Sequence, residues 1–170
     1  MKKWKLVVLC ALFIWNQGLG AGGEQGNPLM RHFENPILGV AFDYPFYWET
    51  LGADFMVSLM SRSQTSLEDN PSHYSVVRLL RQDLTSLEDL KAYLSQKYPN
   101  HQWSSTTHQG IEGFHGISKT QDTSTSLLAF DEFYFQEPNI VIGVHYEASL
   151  AKLSTLLEVH RSLSFLPPMP

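Results

Sequence analysis

The stretch Gly39-Val40-Ala41-Phe42-Asp43-Tyr44-Pro45-Phe46-Tyr47-Trp48-Glu49 decides the fold. Val40, Phe42 and Tyr44 alternate with Ala41 and Asp43, the period of a strand that reserves one face for a core. Pro45 has no N–H to give to a ladder, so the strand ends there. Phe46, Tyr47 and Trp48 follow at once and fit two roles. At a strand end and corner they pack inward, because rings of this size bury much apolar area. Left exposed, they make an aromatic surface on which a partner docks.

Outward from this strand the same period recurs. Residues 54–60 place Phe55, Val57 and Leu59 on one face, and residues 74–81 are β-branched at their centre. Residues 111–119, 126–136 and 140–147 read as three more strands, the first two joined by a hairpin turn over 120–124. Gly113 and Gly116 inside a strand predict a bulge or a close backbone approach. The run 50–53 reads as a turn, 61–72 as a polar loop, and 100–110 as a polar connection broken only by Trp103. Thr85 with Glu88, or Ser86 with Asp89, forms a capping box. Leu87, Leu90, Tyr93, Leu94 and Tyr98 then recur at helical spacing until Pro99-Asn100. Ser149 caps a second helix carrying Leu150, Leu153, Leu156, Leu157, His160 and Leu163. Six strands interrupted by one helix and closed by another give an α+β domain. Strands apolar on both faces predict an antiparallel sheet with a helix on each side.

The 170-residue chain starts with an export pattern: basic residues to Lys5, an apolar run from Leu6 to Trp15, and a small-residue exit ending at Gly20 or Gly22. That run is shorter than the roughly 20 residues a spanning helix needs, so residues 1–22 read as a cleaved signal and no stable membrane span remains. Residues 23–36, rich in Gly and Asn, read as a flexible tether, and 37–167 as the domain. The single cysteine, Cys10, leaves with the signal, which excludes disulfides and thiol chemistry. Losing Lys2, Lys3 and Lys5 leaves 9 basic against 17 acidic residues, near −8. That balance excludes nucleic acid as a partner. The expected location is therefore the periplasm or cell envelope, or outside the cell.

Chemistry-bearing residues are scattered. His101, His108 and His115 fall at equal steps, but no helical zinc motif contains them. Asp131-Glu132 interrupts an apolar strand. Neighbours on a strand face opposite ways, so they do not pair for acid–base work. One is expected to face solvent at a strand end and the other to bond a helix cap. A weak metal site would join His115 or His145 to Asp131 or Glu132 across strands. His160, on the apolar stripe of the last helix, reads as a core histidine. Asn70-Pro71-Ser72 carries proline where glycosylation forbids it. There is no nucleophile elbow, phosphate loop or dinucleotide motif, so no catalytic residue, cofactor or metal is assigned.

Phe42-x-Tyr44-Pro45-x-x-Trp48, Leu84-Thr85-Ser86-Leu87-Glu88-Asp89-Leu90, Gly110-Ile111-Glu112-Gly113-Phe114, Ile140-Val141-Ile142-Gly143-Val144 and Ser162-Leu163-Ser164-Phe165 follow in an order that resembles the PsbP-like superfamily. This superfamily includes the extrinsic photosystem II protein and bacterial envelope proteins. The resemblance implies an α/β/α sandwich. It also implies a non-enzymatic binding or assembly role with an envelope protein as partner, and it assigns no ligand residue. Phe46, Tyr47 and Trp48 are then the candidate docking aromatics. The rival reading is a small-molecule- or metal-binding protein or enzyme, its site gathered from scattered histidines and carboxylates.

Overall fold

Alternating apolar residues pair into ladders, and ten strands form among the described residues. A computed structural model describes residues 29–61, 72–118 and 127–167. The signal over 1–22, most of the loop at 61–72 and the hairpin turn over 120–124 lie outside them. Strands β1 (Met30–Asn35), β2 (Val40–Pro45) and β10 (Ser164–Phe165) form one antiparallel sheet in the order β1-β2-β10. Strands β3 (Trp48–Ala53), β4 (Met56–Ser61), β5 (His73–Leu80), β6 (His101–His108), β7 (Ile111–Ser118), β8 (Leu127–Glu137) and β9 (Ile140–Ser149) form a second. Its order is β3-β4-β5-β9-β8-β7-β6, antiparallel throughout.

The α+β class is thus as expected, but one sheet of about six strands becomes two sheets of three and seven. The six strands read from the sequence are β2, β4, β5, β7, β8 and β9. Part of the stretch read as a tether pairs along β2 as β1, the turn at 50–53 belongs to β3, and the polar connection holds β6. Gln109 and Gly110, both at positive φ (48° and 83°), make the tight turn from β6 to β7.

Helix α1 (Leu87–Lys97) starts at the second of the two capping boxes. Ser86 Oγ accepts from the Asp89 N–H at 3.1 Å, and the Asp89 carboxylate accepts from the Thr85 N–H and hydroxyl. The second helix begins later than expected. Ser149 caps only a 3-10 turn (Leu150–Lys152) and makes no side-chain cap bond, so α2 runs Leu153–Ser162. Lys152 stands where a capping glutamate would reach back.

The core divides by face. Leu156, Val159 and Leu163 at α2 pack with Val40, Phe42 and Tyr44 of β2 against Val57, Tyr74, Val76, Tyr134, Ile142 and Tyr146. Leu90 and Leu94 of α1 pack with Phe114, Phe133 and Val141, which point the other way. Gly113 is a close backbone approach, as expected, since a Cβ there would strike the Phe133 carbonyl, whereas at Gly116 a Cβ would strike a side chain, the Trp103 ring.

The aromatic corner splits. Trp48 is 4% exposed, whereas Phe46 is 47% and Tyr47 36% exposed. Trp48→Ala is expected to cost about 3–5 kcal/mol in a urea titration followed by circular dichroism. Phe46→Ala should stay within about 0.5 kcal/mol of the wild type. Equal losses in the two variants would contradict this division.

Candidate functional site

Asp131 and Glu132 are adjacent on β8, so each serves a different face of the large sheet. Glu132 points toward α2 and is 5% exposed. His115, its register partner on β7, brings Nδ1 to 3.0 Å. His160 of α2 brings Nε2 to 3.0 Å. The Tyr146 hydroxyl of β9 donates at 2.9 Å, and the Tyr134 hydroxyl also donates. Burial pushes the Glu132 carboxyl up, but the hydrogen bonds from His115 and His160, the His160 charge and the Tyr134 hydroxyl outweigh it. The group is held far below its ordinary 4.5. Burial raises the Tyr134 phenol well above its ordinary 10.0, and the Glu132 charge adds to this. Glu132 is thus a carboxylate enclosed by four donors. It ties three strands to a helix.

Asp131 points toward α1. Its Oδ1 accepts from His145 Nδ1 at 2.8 Å, and its Oδ2 from His101 Nε2 at 3.0 Å. Burial pushes this carboxyl up and the two histidines more than offset it, so it lies below 3.8. The hydrogen bond that His145 donates to Asp131 raises the histidine's pKa above 6.5 against burial. Strand register extends the cluster. Ser58, Ser75, His145, Asp131, Gly116 and Trp103 lie in one row across six strands. Met60, His73 and Glu147 lie in the next. Ser58 Oγ is 2.6 Å from His73 Nε2, and the His73 and His145 rings are 5.8 Å apart.

This face is covered unevenly. Helix α1 rests on β6 and β7. Among the described residues nothing covers the same face of β3 and β4, where Leu51 is 76%, Met56 48% and Met60 48% exposed. Phe55, 48% exposed, stands at the turn beside them. Between the covered and open halves runs a groove of about 130 Å³, lined by Ser75, Val77, Tyr98, Asp131, Gly143 and His145. A second cleft of about 260 Å³ opens beside Leu87 and Phe114. Both fall below the roughly 300–1,000 Å³ of small-molecule sites.

Of the residues of the weak metal site, His115 or His145 with Asp131 or Glu132, the structure joins His115 to Glu132 and His145 to Asp131, on opposite faces and as hydrogen bonds. The three evenly spaced histidines do not meet. His101 joins Asp131, His115 joins Glu132, and His108 donates Nε2–H to the Leu163 carbonyl at 2.7 Å. His160 is a core histidine as expected, stacked 4.8 Å from Tyr146. Asp131 sits in mid-strand rather than at a strand end, and Glu132 bonds a helix side chain rather than a cap. Phe46 and Tyr47 stand exposed on the turn from β2 to β3, while Trp48 belongs to the core. His73, Ser58 and Glu147 carry no signal in the sequence as site residues. The alternation that pairs Val76 with Val144 fixes the register that brings them together.

No protein-family profile and no curated protein matches this chain. Solved structures do. The cyanobacterial PsbP (CyanoP) of Synechocystis sp. PCC 6803 superposes with TM-score 0.53 at 14% identity, over 88% of this chain and 99% of that one. LpqN of Mycobacterium tuberculosis, described as involved in cell envelope biogenesis, gives 0.54 at 12% identity, over 92% and 96%. A Bacteroides thetaiotaomicron protein gives 0.55 at 11%, over 81% of this chain and 48% of its own. The chain has a PsbP-like fold.

Glu132→Ala strands the donors of Tyr134, Tyr146 and His160 and is expected to cost about 3–5 kcal/mol at neutral pH. The Glu132 and Asp131 pKa values are depressed, so their stability is complete above about 4.5 and lost as pH falls. That of His145 is raised, so its share is complete below 6.5 and lost as pH rises through the folded value. Urea midpoints measured across pH should peak between these limits, and the acid arm should shrink in Glu132→Ala to the share that Asp131 keeps. An unchanged acid arm would remove Glu132 from this role.

Proposed function

We propose that this chain is exported and acts in the cell envelope as a non-enzymatic factor that binds another protein. A cleaved leader over 1–22 and a PsbP-like domain over 37–167, layered α/β/α with one helix against each face, belong to this reading. The observation that carries it is the open half of the large sheet. Leu51, Met56 and Met60 project from the same side of β3 and β4, with Phe55 beside them and Phe46 and Tyr47 on the turn that enters β3. Adaptable methionines and aromatics rimmed by polar groups suit a protein surface better than a small solute. LpqN, which matches along its length, supports the envelope setting by its stated part in cell envelope biogenesis. Among the described residues no helix is long and apolar enough to cross a membrane.

A photo-reactive residue at Met60 is expected to capture one defined envelope protein in living cells. The same probe at Arg161, exposed on α2, should not. Leu51→Asp with Met60→Lys should weaken that partner by about 2 kcal/mol, roughly 30-fold, with folding stability unchanged. Identical capture from both probe sites, or none from Met60, would rule this surface out.

A further inference from the structure

We propose that His73, His145 and Glu147 bind a divalent cation of the zinc class on the open face of the sheet. His73 and Glu147 are register partners on β5 and β9, and His145 is two residues before Glu147 on the same face. One ligand atom from each lies within 4.8 Å of the other two. A cation held at bonds of about 2.0–2.2 Å needs these atoms about 1 Å closer, which side-chain rotation supplies. The side chains of His145 and Glu147 are 37% and 35% exposed, so they have room to turn.

Both rings are already oriented from outside the trio. Asp131 takes the Nδ1–H of His145 at 2.8 Å, which aims Nε2 toward Glu147, 3.9 Å away. This is the carboxylate–histidine support that ligating imidazoles commonly carry. Ser58 Oγ holds the His73 ring from the other side at 2.6 Å. Two imidazole nitrogens and one carboxylate oxygen suit zinc and its first-row neighbours, not magnesium or calcium, which take oxygen. Three protein ligands leave a position open toward solvent, where a partner's donor group or a water completes the shell. The inference is independent of the docking surface, although Met60 adjoins His73 in register and places the two sites side by side.

The test uses the purified full chain stripped with chelator and titrated with zinc chloride by calorimetry. Cobalt(II) serves as a visible-light reporter of nitrogen ligation. One equivalent is expected to bind, with cobalt d–d bands. Both signals should vanish in His145→Ala and in Glu147→Gln, a near-isosteric change that leaves the fold intact. Asp131→Asn should weaken binding by about 10–100-fold. His32→Ala, remote on β1 beside Asp43, should change nothing. No uptake by the wild type, uptake that survives His145→Ala and Glu147→Gln, or uptake that His32→Ala removes would overturn the assignment.

Discussion

A carboxylate inside an apolar face must be satisfied completely or not be there. Glu132 meets that demand by drawing donors from β7, β8, β9 and α2. Each donor sits where the ladder already places it: His115 in register, Tyr134 two residues along, Tyr146 on the diagonal. His160 is the exception, since it arrives from a helix and fixes where that helix lies. Stacking of His160 on Tyr146 and the adjacent Tyr74 ring leave α2 little freedom to slide. An uncompensated charge in this position is far more costly than the four bonds are stabilising, so the knot acts as a constraint on register and docking more than as a source of stability.

With that face closed by α2 and the small sheet, the opposite face carries whatever the protein offers its surroundings. Helix α1 spans eleven residues, about three turns, and covers only the β6–β7 end with the strands next to it. Gly143 keeps the boundary flat. A Cβ there would stand 2.9 Å from the Phe133 ring and 3.1 Å from Val77, so the groove floor between the halves depends on its absence. Beyond that line Ser58, Ser75, His73 and His145 replace core residues, and Leu51, Met56 and Met60 stand free of the described helices.

The strands legible in the sequence are all interior ones, and the strands missed are all edges. β1 and β10 flank the small sheet, and β3 and β6 flank the large one. The reason is physical. An interior strand contributes to a buried face, so Val76, Val144 and Ile142 must alternate. An edge strand is half wet, and His101-Gln102-Trp103-Ser104-Ser105-Thr106-Thr107-His108 reads as a loop because polar residues protect an edge from further pairing. The two helices were visible through leucine spacing, and the PsbP-like order of landmarks anticipated the fold. The His73–Glu147 pairing was not visible. It depends on register between strands more than sixty residues apart, and neither residue breaks a local pattern.

Adjacent carboxylates on one strand therefore part company by geometry alone. Glu132, enclosed and held anionic by donors it cannot exchange, has no spare lone pair and no access for a ligand. Asp131 has the same chemistry but faces a half-open groove, and its two histidine partners are 15% and 37% exposed. A group that fixes a histidine's orientation while leaving the ring's far nitrogen accessible is poised to serve something outside the chain. Moving β8 by one residue against its neighbours would exchange the two roles, burying the exchangeable cluster and exposing the satisfied one. The register that builds the core thus also determines which face remains available for function.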